Sequence, residues 1–331
     1  MDLKNIHGAW LIDKPEGITS FGLIEAIQRA LRAKTGLKKS ELPSLGHGGT
    51  LDPFATGLLV VCVGRAVKLT RWFLGSDKTY SGRIRFGETT IPGDPTDEIS
   101  EHLGRLPSPE NAIAEAQAFV GREYLQIPPM HSAKKQGGKA LYELARAGIE
   151  VERKPKTCTI RSFELKNFTS PSESPQSGQP VTTCDFLTEV TSGTYIRVLA
   201  QDLGQKLGTR AMLETLRRAG SGPKRLKDAI PLAHLLIRIH ESDAVTPLME
   251  GAFWVPFDRV LDGLFPVVTL TAQEAIELEH GKKVNLNRWA ERNADESAKN
   301  LAFKDSEGHL RAVLERGVDG TWDIARVFPL T

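Results

Sequence analysis

Asp52 sits in a run of small and turn-forming residues, Gly46-His47-Gly48-Gly49-Thr50-Leu51-Asp52-Pro53-Phe54-Ala55-Thr56-Gly57. Three glycines ahead of the acid let the backbone approach a ligand closely and take turns closed to other residues. Pro53 stiffens the position after the acid and steers Asp52 away from helical geometry. A carboxylate presented this way suits catalysis, provided a rigid element anchors the loop. It suits equally a structural loop in which Asp52 caps a turn, because glycine, histidine and aspartate are common turn residues. A phosphate cradle fits less well: no Gly-x-x-x-x-Gly-Lys-[Ser/Thr] occurs, and no lysine follows the glycines. A metal site fits least, since the eight histidines include no H-E-x-x-H and His47 has no second ligand at a useful spacing.

The elements around this loop are readable from periodicity. Leu58–Val63 is a continuous apolar run between Gly57 and Gly64, the pattern of a strand buried on both faces or of a short buried helix. Residues 9–13 form a short apolar strand ending in Asp13-Lys14-Pro15, and Phe21, Ile24, Ile27 and Leu31 then share a helix face that stops at Gly36. From Tyr80 the chain alternates, with Tyr80, Gly82, Ile84 and Phe86 on one side and Ser81, Arg83 and Arg85 on the other. Ser108-Pro109-Glu110 opens a helix carried by Ile113, Ala116, Phe119 and Val120 to Gly121. Strands are expected at about 157–168 and 181–190. The Ser/Pro-rich stretch 169–180 between them reads as a flexible surface excursion. Ile196, Leu199, Ala200, Leu203 and Leu207 define an amphipathic helix ended by Gly208.

The tail changes character. Thr271-Ala-Gln-Glu274 is a capping-box pattern, Leu301–Lys304 and Leu310–Glu315 suggest a hairpin, and Trp322–Phe328 suggests a further strand. The expected organisation is a large domain over 1–235, a partly helical connector over 236–263, and a small β-rich domain over 264–331. At 331 residues with 40% apolar content, the chain can build full cores without disulfides or metals. Cys62, Cys158 and Cys184 are far apart and read as reduced thiols, which with the lack of a leader-like N-terminus leads us to expect a soluble cytoplasmic protein. A net charge of +2 does not decide for or against nucleic acid, so local clustering must. Residues 201–227 carry seven Lys or Arg against two acids, and 131–161 carry eight against three. Two such clusters around one loop favour a groove that follows phosphates.

Six motifs in order carry a resemblance. Gly46–Leu59 is similar to the signature of the TruB-type tRNA pseudouridine synthases. Leu11-Ile12-Asp13-Lys14-Pro15-x-Gly17-x-Thr19-Ser20 resembles that family's opening motif. Asp77-Lys78-x-Tyr80 and Ile127-Pro128-Pro129-Met130-x-Ser132-Ala133-x-Lys135 resemble its middle ones. Gly193-Thr194-Tyr195-Ile196-Arg197 with Asp202-Leu203-Gly204, then Leu216-Arg217-Arg218, resemble its later ones. His131 stands where tyrosine is frequent in the family, and Ile91-Pro92-Gly93 also departs from its pattern, while Asp94 falls at a recurring acid.

The resemblance implies an α+β fold, a mixed and largely antiparallel sheet flanked by helices, with a C-terminal domain of PUA-like type. It implies isomerisation of uridine-55 in the T loop of tRNA, without a cofactor or metal. Asp52 would be the catalytic carboxylate, as nucleophile on the sugar or as a base that generates a glycal. Arg197 would pair with it. Tyr80 and Tyr195 would contact the flipped base, Leu216 would line its pocket, and His47 would fill the space the base leaves. Lys14, Asp94 and Arg218 would support the site. The expected partner is the T stem-loop of tRNA. No membrane and no obligatory protein partner are expected, and stand-alone members of the family suggest a monomer.

Overall fold

The computed structural model describes residues 3, 5–103, 105–130, 135–136, 139–140, 151–280, 286–292 and 295–329. His131, Ser132 and Ala133, and with them much of the basic cluster 131–161, lie outside the described residues. The elements that frame the loop are, in chain order, β1 (Gly8–Lys14), α1 (Ser20–Thr35), β2 (Leu45–His47), β3 (Thr56–Val63), α2 (Thr70–Gly75), β4 (Lys78–Phe86), α3 (Pro109–Ala118), β5 (Glu123–Gln126), β6 (Lys156–Lys166), β7 (Pro180–Val190), α4 (Ile196–Lys206), β8 (Ala211–Ser221), β9 (Ile230–Pro231), α5 (Leu232–Glu241) and β10 (Trp254–Pro256). Their main sheet runs β9-β1-β3-β8-β4-β7-β6-β5, with β2 paired to β3 and β10 to β1. Only the β9–β1 and β3–β8 pairs among these are parallel. The fold is the mixed, largely antiparallel α+β sheet that was expected.

The continuous apolar run at 58–63 is a strand because both of its faces are covered. Leu59, Val61 and Val63 join Trp10 and Ile12 of β1 beneath α1 and α5. Leu58, Val60 and Cys62 join Ala9 and Leu11 on the opposite face, against Trp72, Phe73 and the C-terminal sheet. Helix α1 starts where Thr19 accepts from the Gly22 N–H and ends at Gly36 in the left-handed region. Its buried face is Leu23, Ile24, Ile27 and Leu31, whereas Phe21 is 61% exposed. In the first turn it is Leu23, two positions on, that takes the inward side. In α3 the buried face is likewise Ala112 and Ala116, while Ile113 points outward.

Besides Phe21 and Ile113, two further sequence expectations need correction. Strand β8 was not expected, yet it lies between β3 and β4 at the centre of the sheet. Irregularities between Leu213 and Thr215 and between Arg218 and Gly220 break its alternation, so no period of two is visible. The stretch 169–180 is not free of the body. Ser172–Glu173 pairs with β7. Ser174 and Ser177 donate to the two oxygens of the buried Glu88 carboxylate at 2.7 and 2.5 Å. Burial opposes ionisation of Glu88, but these hydroxyls and Arg85 outweigh it and hold the carboxyl below its usual range.

The C-terminal part forms a second sheet, β11 (Val267–Thr269), β12 (Asn300–Lys304), β13 (Leu310–Arg316) and β14 (Trp322–Val327), in that order. The capping box of Thr271 and Glu274 forms and opens the helix Ala272–Glu279 beside it. Before this sheet, α5 crosses residue 235 and β10 adds to the main sheet, so residues 236–263 pack with the large body. Among the described residues no helix is long and apolar enough to cross a membrane.

Candidate active site

The Asp52 loop is held along its length by groups that reach it from other elements. Gly48 N–H bonds to Val60 O at 2.9 Å, and Leu51 N–H bonds to the Ser20 hydroxyl at 2.8 Å. Arg218, on β8 and 1% exposed, donates to Leu58 O at 2.7 Å, Gly49 O at 3.0 Å and Thr50 O at 3.3 Å. Lys14, wholly buried, ties Pro53 O at 3.2 Å to Ile18 O and Pro15 O at 2.7 and 2.9 Å. Burial pulls the Lys14 ammonium down to about 8, against the pull of the Asp52 carboxylate and with the push of Arg218. The loop is thus anchored to β1, β3, β8 and α1. Asp52 stands at its turn, where Ala55 N–H closes on Asp52 O at 3.1 Å.

Arg197, in the first turn of α4, meets Asp52 as a fork. Its Nε lies 2.9 Å from Oδ2 and its Nη2 3.3 Å from Oδ1. Nη1 donates to Pro92 O at 2.7 Å and lies 3.6 Å from the Asp94 carboxylate. The Arg197 side chain is 4% exposed and that of Asp52 33%. The cation is therefore enclosed, while the carboxylate keeps one side open. A two-point contact to a planar guanidinium fixes the plane and direction of the carboxylate.

That open side faces a cleft of about 360 Å³. Tyr80, Tyr195, Leu216 and Arg218 line it together with Asp52 and Arg197. Such a wall offers two aromatic rings and an aliphatic side chain for a planar ring to rest on, beside one anion. Lys14 and Asp94 stand behind this layer and hold it. His47 does not line the cleft; it lies on β2 opposite Val61. Burial and the nearby Arg218 lower its pKa, so its ring is neutral at physiological pH.

Two lining residues escaped the sequence reading. Leu74, at the end of α2, is 51% exposed at the mouth of the cleft. Lys78 belongs to a motif already noted, but nothing in its spacing marks it as buried. Its ammonium donates to Phe73 O, Ser76 O and the Ser76 hydroxyl at 2.6, 2.7 and 3.0 Å. Burial first, and Arg218 second, bring it down to about 7.

The basic cluster at 201–227 is less free than its composition suggests. Arg218 is buried on the loop, Arg217 bonds to Asp13 at 2.6 Å, Arg210 bonds to Glu101 at 2.5 Å, and Lys206 lies over the Phe119 ring. Arg225 and Lys227 remain at the surface.

Comparison with known proteins bears on this geometry. The family model described as "TruB family pseudouridylate synthase (N terminal domain)" matches residues 34–196. The tRNA pseudouridine synthase B of Burkholderia mallei is 36% identical over 314 residues, covering 95% of this chain and 94% of that protein. Its counterpart in Dechloromonas aromatica is 38% identical over 283 residues, covering 86% of this chain and 85% of that one. Among solved structures, a Cbf5-Nop10-Gar1 complex aligns with a TM-score of 0.65 at 22% identity over 97% of this chain and 84% of that one. An H/ACA RNP bound to a substrate RNA containing 2'-deoxyuridine aligns with a TM-score of 0.64 at 20% identity over 98% and 85%. At these identities the two structures speak to the fold alone.

Proposed function

The chain belongs to the TruB family of pseudouridylate synthases, and from that premise we propose that it isomerises uridine-55 in the T loop of tRNA, with Asp52 as the catalytic carboxylate. The observation that carries the reading is the Asp52–Arg197 fork at the edge of an aromatic-walled cleft. In the reaction the bond from ribose C1′ to uracil N1 breaks and a bond from C1′ to C5 forms. The C5 proton leaves and N1 gains one, so atoms and electrons balance within one nucleotide and the side chains suffice. Asp52 serves either by attack on C1′ or by removing a ribose proton to give a glycal; the Arg197 fork aims its carboxylate for both.

Tyr80 and Tyr195 take the extruded uracil, with Leu216 beneath it, and a tyrosine hydroxyl stands near C5 as that proton departs. Extruding the base costs a few kcal/mol of stacking, on the order of one or two interactions of the kind the cleft offers. His47, neutral and on the loop's own strand, would occupy the space left in the RNA. Lys14, Asp94 and Arg218 keep the loop and its arginine in place. Residues 1–235 would act as the catalytic unit and 264–331 as a PUA-like unit that extends the RNA contact, the chain working as a monomer on bare tRNA in the cytoplasm.

The test is to incubate the purified chain with a T-arm stem-loop and map pseudouridine by position. Product at uridine-55 is expected from the wild type. Asp52→Asn is expected to make none while binding the stem-loop within about threefold of wild type, since the change alters charge at one atom pair. Measurable turnover by Asp52→Asn would refute the assignment.

A further inference from the structure

We propose that Gln126 is a positioning residue for this reaction, holding the peptide of Tyr195 so that the Tyr195 ring and Arg197 stand correctly against the substrate. The proposal rests on the functional reading above. Gln126 ends β5, an edge strand of the main sheet, and is 1% exposed. Its side-chain amide makes two bonds to one residue: Tyr195 N–H donates to Oε1 at 2.7 Å, and Nε2 donates to Tyr195 O at 2.9 Å. This is the pairing that a neighbouring strand would supply, delivered instead by one side chain. Tyr195 needs it because it is the N-cap of α4, in extended geometry and without a side-chain cap. Tyr195 O also accepts from Leu199 N–H at 3.0 Å. The Tyr195 N–H is therefore the group most dependent on Gln126.

The grip has a second point. Gln126 Nε2 also lies 3.3 Å from the Tyr124 hydroxyl, and Tyr124 in turn donates to Asp202 on α4. Strand β5 thereby holds the helix at its N-cap and again almost two turns on. Between those points lies Arg197, whose fork to Asp52 sets the carboxylate. A loss at Gln126 shifts Tyr195 and the helix start without removing any group from the cleft. Misplacement of about 1 Å in such a shell can lower a rate about a hundredfold.

Gln126→Glu tests this. A protonated glutamic acid can both donate and accept, and so reproduces the amide's two bonds. The carboxylate can only accept, and it would face Tyr195 O. The rate of Gln126→Glu relative to wild type on the T-arm stem-loop should rise as pH falls from about 8.5 to about 5.5, because burial raises a carboxyl's pKa into that range. At the upper end we expect kcat about tenfold to a hundredfold below wild type, with KM within about threefold. A ratio that does not change with pH would overturn the proposal. Should Gln126→Glu fail to fold, Gln126→Met keeps the volume and removes the bonds without a charge. It should show the same fall in kcat with KM kept, and wild-type kcat in Gln126→Met would also overturn the proposal. A wild type that makes no pseudouridine would instead bring down the functional reading itself, so the two failures are told apart.

Discussion

Asp52 and Arg197 are 145 positions apart in the chain and meet through two hydrogen bonds. The glycines and proline around Asp52 fitted a turn cap as well as a catalytic carboxylate; the ordered motifs singled out Asp52 and paired it with Arg197, and the structure brings those two side chains together. Burial was not legible. Lysines are nearly always at the surface, so nothing in Asp77-Lys78-x-Tyr80 announced an ammonium that lies 6% exposed against three oxygens. Its consequence is a dependence on pH. In the unfolded chain Lys78 titrates near about 10.4, whereas in the fold burial brings it to about 7. Between those values the unfolded chain holds a proton that the folded chain lacks, so this lysine makes stability rise with pH. Below the window both states are charged and the penalty of burial is complete. Lys78→Met removes the slope. Its stability minus that of the wild type, read from urea midpoints, should fall steadily between about pH 7 and about pH 10. A difference that stays constant would refute the role of this ammonium.

At the level of elements, the strands and helices with one clean period were readable, and those with a broken one were not. Helix α1 declared itself by Thr19, its apolar face and Gly36. Strand β8 did not, because two irregularities swap its faces and because Arg218 points inward where an apolar residue would be sought. The Ser/Pro stretch at 169–180 looked free because its hydroxyls bind a carboxylate 86 or more positions away, which no local pattern can reveal. The junction of β3 with β8 is where the loop's geometry is most tightly set. Gly57 has φ +104 and pairs with Arg218, and a Cβ placed there would lie 2.4 Å from Arg218 O and 2.6 Å from Arg218 N. Both contacts are with backbone, so no side-chain movement relieves them. Gly57→Ala should therefore lower stability by about 1–3 kcal/mol or more, and pull Arg218 from the loop carbonyls it holds. Thermal melts would register the first effect, and turnover on the T-arm stem-loop the second. A variant that melts and reacts like the wild type would show that the strands can part there at no cost.

Across the whole molecule, the two sheets share a core. Ala302, Leu310, Val313 and Phe328 of the C-terminal part are buried together with Ala9 and Leu11 of β1, Val60 and Cys62 of β3, and Phe73. The change of composition after residue 264 was visible in the sequence, but this shared packing was not. An apolar face reads the same whether it covers its own sheet or another. The physical consequence is coupling: unfolding the small sheet would strip one face of β1 and β3, the strands that anchor the Asp52 loop. Phe328 is the point at which to test it. It is 2% exposed, packs edge-on to Phe257 at 5.2 Å between ring centroids, and its N–H bonds to Arg311 O at 2.8 Å. Phe328→Ala would leave a cavity at the junction at a cost of about 3–5 kcal/mol. Because the junction couples the sheets, calorimetry of the wild type should show one endotherm, and Phe328→Ala should show an earlier transition for the small sheet ahead of the main one. Activity of Phe328→Ala should fall over the same range as that first transition, since the floor of the loop loses its cover. An unaltered single endotherm in Phe328→Ala would mean that the two sheets are held together elsewhere.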